Sequence, residues 1–82
     1  MQSNNMNYIL YGTSACHLCE QAEAIISALS SPLNVQKIDI AEDEQLSERY
    51  GIRIPVLKST HTQRELNWPF TTDDLLSFLQ AE

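Results

Sequence analysis

The chain carries two cysteines, and both fall in the run Cys16-His17-Leu18-Cys19. Two thiols at this spacing can exchange with disulfides, supply half of a metal site, or sit inert in a core. At a helix start, unpaired backbone N–H groups and the positive end of the helix dipole favour thiolate over thiol. Cys-X-X-Cys cysteines in such places have pKa values lowered to about 3.5–7.5, and the thiolate is the reactive form. Cys16 is then the expected nucleophile. Cys19, one turn on, faces the apolar side and can attack a mixed disulfide formed on Cys16. A zinc site would need two further ligands, yet there is no second cysteine pair and only His17 and His61 could add nitrogen. No metal is therefore expected. A structural staple is also disfavoured, because cross-linking so short a loop removes little chain entropy.

The elements around this run decide whether the chemistry is available. Tyr8-Ile9-Leu10-Tyr11, ended by Gly12, reads as a buried strand. Ser14 is a candidate N-cap. A helix is expected from about 15 to 29, with an apolar stripe of Leu18, Ala22, Ile25 and Leu29 widened by Cys19 and Ile26. Ser30-Ser31-Pro32 stops it. Val35 to Ile40 alternates as a strand with one buried face, so strand, helix and strand predict a βαβ unit with a parallel pair. Glu42-Asp43-Glu44 opens a second helix, a solvated acidic start that turns Leu46 and Tyr50 inward and ends with Gly51 in the left-handed position. Ile54-Pro55-Val56-Leu57 reads as a third strand with its proline at the start, and Thr62 to Leu66 as a fourth after a turn containing His61. Thr71-Thr72-Asp73-Asp74 resembles a capping box before a last helix on Leu75, Leu76 and Leu79, with Phe78 alongside. The expected fold is α/β, in the order β-α-β-α-β-β-α, with a four-stranded mixed sheet and helices on both faces. A single domain is expected over 7–82, behind a flexible tail at 1–6.

Cys16-His17-Leu18-Cys19 after an apolar strand, with Tyr50-Gly51-Ile52-Arg53-Ile54-Pro55-Val56-Leu57 about 35 residues later, resembles the thioredoxin superfamily. The compact length and single opening βαβ unit are most similar to the small bacterial glutaredoxin-like proteins, over essentially the whole chain. The resemblance implies a thioredoxin/glutaredoxin fold and a thiol–disulfide oxidoreductase that works through a mixed disulfide. It also implies a cis Pro55 facing the dithiol, with the Ile54 backbone turned to pair with a substrate chain. Thr13 stands where dithiol glutaredoxins usually carry lysine, and Arg53 is the candidate replacement for that charge. His17 and Leu18 replace the usual proline and tyrosine, and Phe70 and Thr71 replace a glycine pair ahead of Asp74. Two features that hold glutathione in that family are thus missing. Weak glutathione binding is expected, with a protein disulfide as the preferred partner and glutathione as one candidate electron donor. No other cofactor is implied.

Alternatives stand beside these readings. His17 either supports the Cys16 thiolate as a nearby cation or is an exposed helix-start residue. Arg53 is either a charge at the site or a solvated one. Trp68-Pro69-Phe70 is either core or a wall for a partner. A thioredoxin fold can also act as a binding or redox-sensing module with little turnover.

Composition narrows the rest. The 82 residues carry 11 acids against 5 bases, a net charge of −6, and are 43% hydrophobic. This suits one small core and argues against nucleic acid or an anionic membrane as partner. No apolar run approaches the ~20 residues of a spanning helix, and Met1-Gln2-Ser3-Asn4-Asn5 has neither the basic start nor the apolar stretch of a secretory signal. A monomer in the cytoplasm is expected.

Overall fold

The computed structural model describes residues 7–82; the expected tail at 1–6 lies outside the described residues. Its elements are β1 (Asn7–Gly12), α1 (His17–Ser27), β2 (Asn34–Asp39), a 3₁₀ turn (Ile40–Glu42), α2 (Glu44–Tyr50), β3 (Val56–Ser59), β4 (Glu65–Asn67) and α3 (Thr72–Gln80). The sheet order is β2-β1-β3-β4. β1 runs parallel to β2 and antiparallel to β3, and β3 is antiparallel to β4, so the sheet is mixed.

Alternation along the central strands sorts the core into two layers. Tyr8 and Leu10 of β1 and Leu57 of β3 pack with Ala22 of α1 and Leu75 and Phe78 of α3. Tyr11 and Val56, each one residue out of phase, face the opposite way and pack with Ile40 and Tyr50 of the α2 side. Helices therefore cover both faces. Tyr11 stacks on Tyr50 at 4.2 Å between ring centroids, and Tyr8 meets Phe78 at 6.4 Å.

Several boundaries differ from the sequence reading. Ser14 does not cap α1: Cys16 occupies the N-cap position, and its sulfur accepts the Cys19 N–H. Leu18 is 43% exposed and Leu76 42%. Each is one residue, or about 100° of helix, away from a buried neighbour, Cys19 and Leu75, and so falls off the covered stripe. Gly51 is right-handed at φ −51°. Its need for glycine is steric, because a Cβ there would run into the Ser47 carbonyl oxygen. β3 starts after Pro55, since proline cannot donate and the Ile54 N–H is bonded to the Tyr50 carbonyl at 3.1 Å. β4 is shorter than expected because the turn before it is longer. Gln63 takes a positive φ of 69° there, with its N–H on the Ser59 carbonyl. The capping box of α3 forms as expected: Thr71 Oγ1 accepts from Asp74 N, and Asp74 Oδ2 accepts from Thr71 N.

Candidate active site

Cys16 and Cys19 are joined as a disulfide with their Cα atoms 5.1 Å apart. They sit where β1 passes through a short turn into α1. Cys16 is half-buried, whereas Cys19 lies on the helix side facing the sheet and is 3% exposed. The Cys16 Sγ accepts the backbone N–H of Cys19 at 3.0 Å. Sulfur thus takes the place of a capping oxygen at a helix N-terminus, where an acceptor bearing negative charge is stabilised most. The same N–H is in position to stabilise a Cys16 thiolate when the bond is reduced.

Gly12 closes the site from behind. A Cβ on it would stand 2.7 Å from the Cys19 sulfur and 3.3 Å from its Cβ, so only hydrogen leaves room for the strand to pass.

A cleft of about 420 Å³ opens beside the cysteines. Gly12, Thr13, Ser14, Cys16 and Cys19 form one wall; Glu20 and Glu23 of α1 and Lys37, Ile38 and Asp39 of β2 face it. The parallel register opposes Leu10 to Lys37 and Gly12 to Asp39, which carries these β2 side chains to the redox pair. Lys37 Nζ donates to Glu23 Oε1 at 3.2 Å across the cleft.

The other expected site residues divide between the cleft and its surroundings. Thr13 does line the cleft, but Arg53 does not. The Arg53 guanidinium pairs with Glu65 Oε1 and donates to Asn67 Oδ1 at 3.0 Å, 5.1 Å from the Tyr50 ring centroid. Its charge is engaged by β4. The Ile54–Pro55 peptide is cis, as is Trp68–Pro69. Pro55 is fully buried, and its carbonyl accepts the Trp68 N–H at 3.2 Å. His17 points into solvent with its side chain 83% exposed, 4.0 Å from Glu20. Phe70 is core, 3% exposed, and Trp68 packs edge-on to it at 5.1 Å.

Glu65 escaped the sequence reading. Its carboxylate accepts the Tyr50 hydroxyl at 2.7 Å besides pairing with Arg53, and so ties the 50–53 segment to β4. Nothing in a lone strand glutamate announces this. Glu23 was in principle findable, because it lies four residues after Cys19 and hence on the same side of α1. Among the described residues no group of three or more His, Cys, Asp or Glu side chains converges as a metal site would require.

A mixed sheet in this order, with a Cys-X-X-Cys disulfide at the first β–α junction, defines a thioredoxin-fold protein with a dithiol site. The chain belongs to the glutaredoxin-like domain family (DUF836), which matches residues 7–80. It is similar to the X-ray structure of target protein XcR50 from X. campestris, with 35% identity and a TM-score of 0.82 over 92% of this chain and 97% of that one. Protein Ne2328 from Nitrosomonas europaea aligns with 28% identity and a TM-score of 0.79 over 95% of both chains. A mutant thioredoxin from Halobacterium salinarum aligns with 25% identity and a TM-score of 0.68, over 95% of this chain and 74% of that one. No curated protein matches the chain.

Proposed function

We propose that the protein is a thiol–disulfide oxidoreductase in which Cys16 is the attacking thiolate and Cys19 the resolving thiol. The observation that carries this reading is the Cys19 N–H held 3.0 Å from the Cys16 sulfur at the start of α1, opposite a buried Cys19. In the reducing direction the Cys16 thiolate attacks one sulfur of a substrate disulfide. That S–S bond breaks, and the displaced sulfur leaves as a thiolate and takes up a proton. Cys19 then gives up its proton and attacks the Cys16 sulfur. The Cys16–substrate bond breaks and the second substrate thiol departs. Counted from the protonated dithiol, the protein loses two electrons and two protons, one of them on ionisation of Cys16, and the substrate gains them. An external thiol reductant, either glutathione or a dithiol reductase, must restore the Cys16 and Cys19 thiols.

A protein disulfide suits the site better than glutathione does. Glutathione carries two carboxylates, which need cations or free N–H groups. Thr13 offers no charge, Arg53 is engaged by Glu65 and Asn67, and the Thr71 N–H is already bonded to Asp74 Oδ2 at 2.9 Å. On the β3 side of the redox pair, one flank of an extended substrate chain would pair with the Ile54 carbonyl, because the Ile54 N–H is bonded to the Tyr50 carbonyl. The expected setting is the reducing cytoplasm, as a monomer. No helix among the described residues is long and apolar enough to cross a membrane.

Reduction of insulin with dithiothreitol as donor tests the reading. Turnover should vanish in Cys16→Ser, while Cys19→Ser should trap a mixed disulfide with the substrate. Absence of turnover with every donor, together with a stable complex with a partner, would instead establish a binding or redox-sensing module.

A further inference from the structure

The cleft beside the cysteines has a charge and a direction. Three carboxylates, Glu20, Glu23 and Asp39, face it against one ammonium, Lys37. Lys37 is paired with Glu23 at 3.2 Å and His17 Nδ1 stands 4.0 Å from Glu20, so the carboxylates without a Lys or Arg partner here are Glu20 and Asp39. The Glu20 side chain is 72% exposed. Asp39 uses Oδ1 to accept the Ala41 N–H at 2.9 Å. The partial positive charge at the α1 N-terminus falls off within its first turn, and the Cys16 sulfur already accepts there. Beyond the Glu23–Lys37 pair, a second depression of about 490 Å³ shares Leu10, Glu23 and Lys37 with the first. It continues along the seam between α1 and β2 to Ile26, Leu29, Pro32 and Leu33. Together the two form a trough that starts acidic at the redox pair and turns apolar further on.

We infer that this trough selects the polypeptide flanking the substrate disulfide, favouring a basic residue next to the reacting cysteine and apolar residues beyond it. The inference rests on the disulfide-reducing role proposed above. A cation beside the target sulfur gains Coulomb energy against Glu20 and Asp39, and the long apolar seam suits a chain of several residues. Glutathione disulfide, small and with four carboxylates against two ammonium groups, meets repulsion at the mouth and covers little of the seam.

The test uses the full reduced chain as a stoichiometric reductant. It gives up two electrons and two protons, closing the Cys16–Cys19 bond as the substrate becomes two thiols. The probes are two synthetic peptide disulfides identical except for Lys-Leu-Leu or Glu-Leu-Leu beside the cysteine, with glutathione disulfide as the third. Each rate is divided by that of the same probe with dithiothreitol, because a flanking cation speeds exchange with any thiol. The basic peptide should be favoured over the acidic one by about tenfold at low ionic strength and by less than about twofold in roughly 0.5 M salt. Glu20→Lys, a change at an exposed position, should cut the low-salt preference by at least about threefold through loss of that charge. Equal normalised rates, an acidic preference, a preference unmoved by salt and by Glu20→Lys, or glutathione disulfide matching the basic peptide would each overturn the inference. Failure to reduce any probe that dithiothreitol does reduce would strike at the disulfide-reducing role itself.

Discussion

Cys16 and Cys19 lie one helical turn apart in unlike surroundings. Cys16 is half-buried at the cleft and receives the Cys19 N–H, whereas Cys19 is 3% exposed beneath it. Iodoacetamide should therefore alkylate Cys16 in the reduced protein at least about tenfold faster than Cys19 near neutral pH, because both thiolate fraction and access favour it. Peptide mapping after timed quenching reads the two rates, and a faster Cys19 would reverse the assigned roles. Gly12 is held to its identity by the same cysteine. In Gly12→Ala the added methyl would meet the Cys19 sulfur at 2.7 Å. Neither a central strand nor a buried cysteine can yield cheaply, so the variant should lose about 1–3 kcal/mol, the usual range for overpacking. It should also be slower to close the Cys16–Cys19 bond. Urea denaturation and the rate of oxidation by a small disulfide check both effects, and an unchanged stability would refute the steric account.

At the scale of elements, Glu65 of β4 holds the end of α2 and the segment leading to Pro55. Burial works against its charge, but hydrogen bonds from Tyr50 and Arg53, and the charges of Arg53 and Lys58, outweigh that and hold its carboxyl below the usual value. Burial, then the bond to Glu65, pushes Tyr50 up from 10.0 to about 12. The two groups have opposite pH signatures. A depressed carboxyl contributes stability above the unfolded value of 4.5 that is lost as pH falls through the folded value. The raised phenol contributes stability that is complete below pH 10 and is lost as pH rises through about 12. Glu65→Gln should abolish the acid-side part and leave Arg53 without its anion. A loss of about 1–3 kcal/mol at neutral pH is expected for hydrogen bonds to a charged group. Urea midpoints at pH 7 and pH 3.5 should lie closer together in the variant than in the parent chain; an identical spacing would remove Glu65 from the account.

Across the whole molecule, the chain's last residue is tied to the β3–β4 turn. The Glu82 carboxylate accepts from Thr62 Oγ1 at 2.9 Å and from Arg64 Nη1 at 2.7 Å, and its side chain is only 1% exposed. Arg64 also lies 4.8 Å over the Phe78 ring and donates to the Phe78 carbonyl, so α3 and the hairpin are joined at one corner. Burial opposes the charge of Glu82, but bonds from Ser59, Thr62 and Arg64 prevail and lower its pKa. Its contribution, like that of Glu65, is lost below about pH 4.5. Glu82→Gln should destabilise the fold by about 1–3 kcal/mol. It should also raise hydrogen exchange at the end of α3 without altering the relative alkylation of Cys16 and Cys19. A thermal midpoint equal to that of the parent chain would contradict this.

Much of this protein is legible in the sequence because it depends on local periodicity and local chemistry. The strand, Cys-X-X-Cys, helix succession, the buried apolar run of Tyr8 to Tyr11, and the Thr71–Asp74 cap all involve residues within one or two turns of each other. A short-range pattern suffices for those, and with them came the order of elements and the redox pair. Long-range pairing decided the remainder. Arg53 looked available for substrate until the β3–β4 pairing brought Glu65 and Asn67 to it from 12 and 14 residues away. Ser14 is the exception at short range: the cap is the Cys16 sulfur two residues on, and a thiol is not among the usual capping groups. The acidic wall facing the cysteines exists only because β2 lies parallel to β1 in a register that opposes Gly12 to Asp39. Register is a property of two strands and the helix that joins them, so no single stretch of sequence contains it.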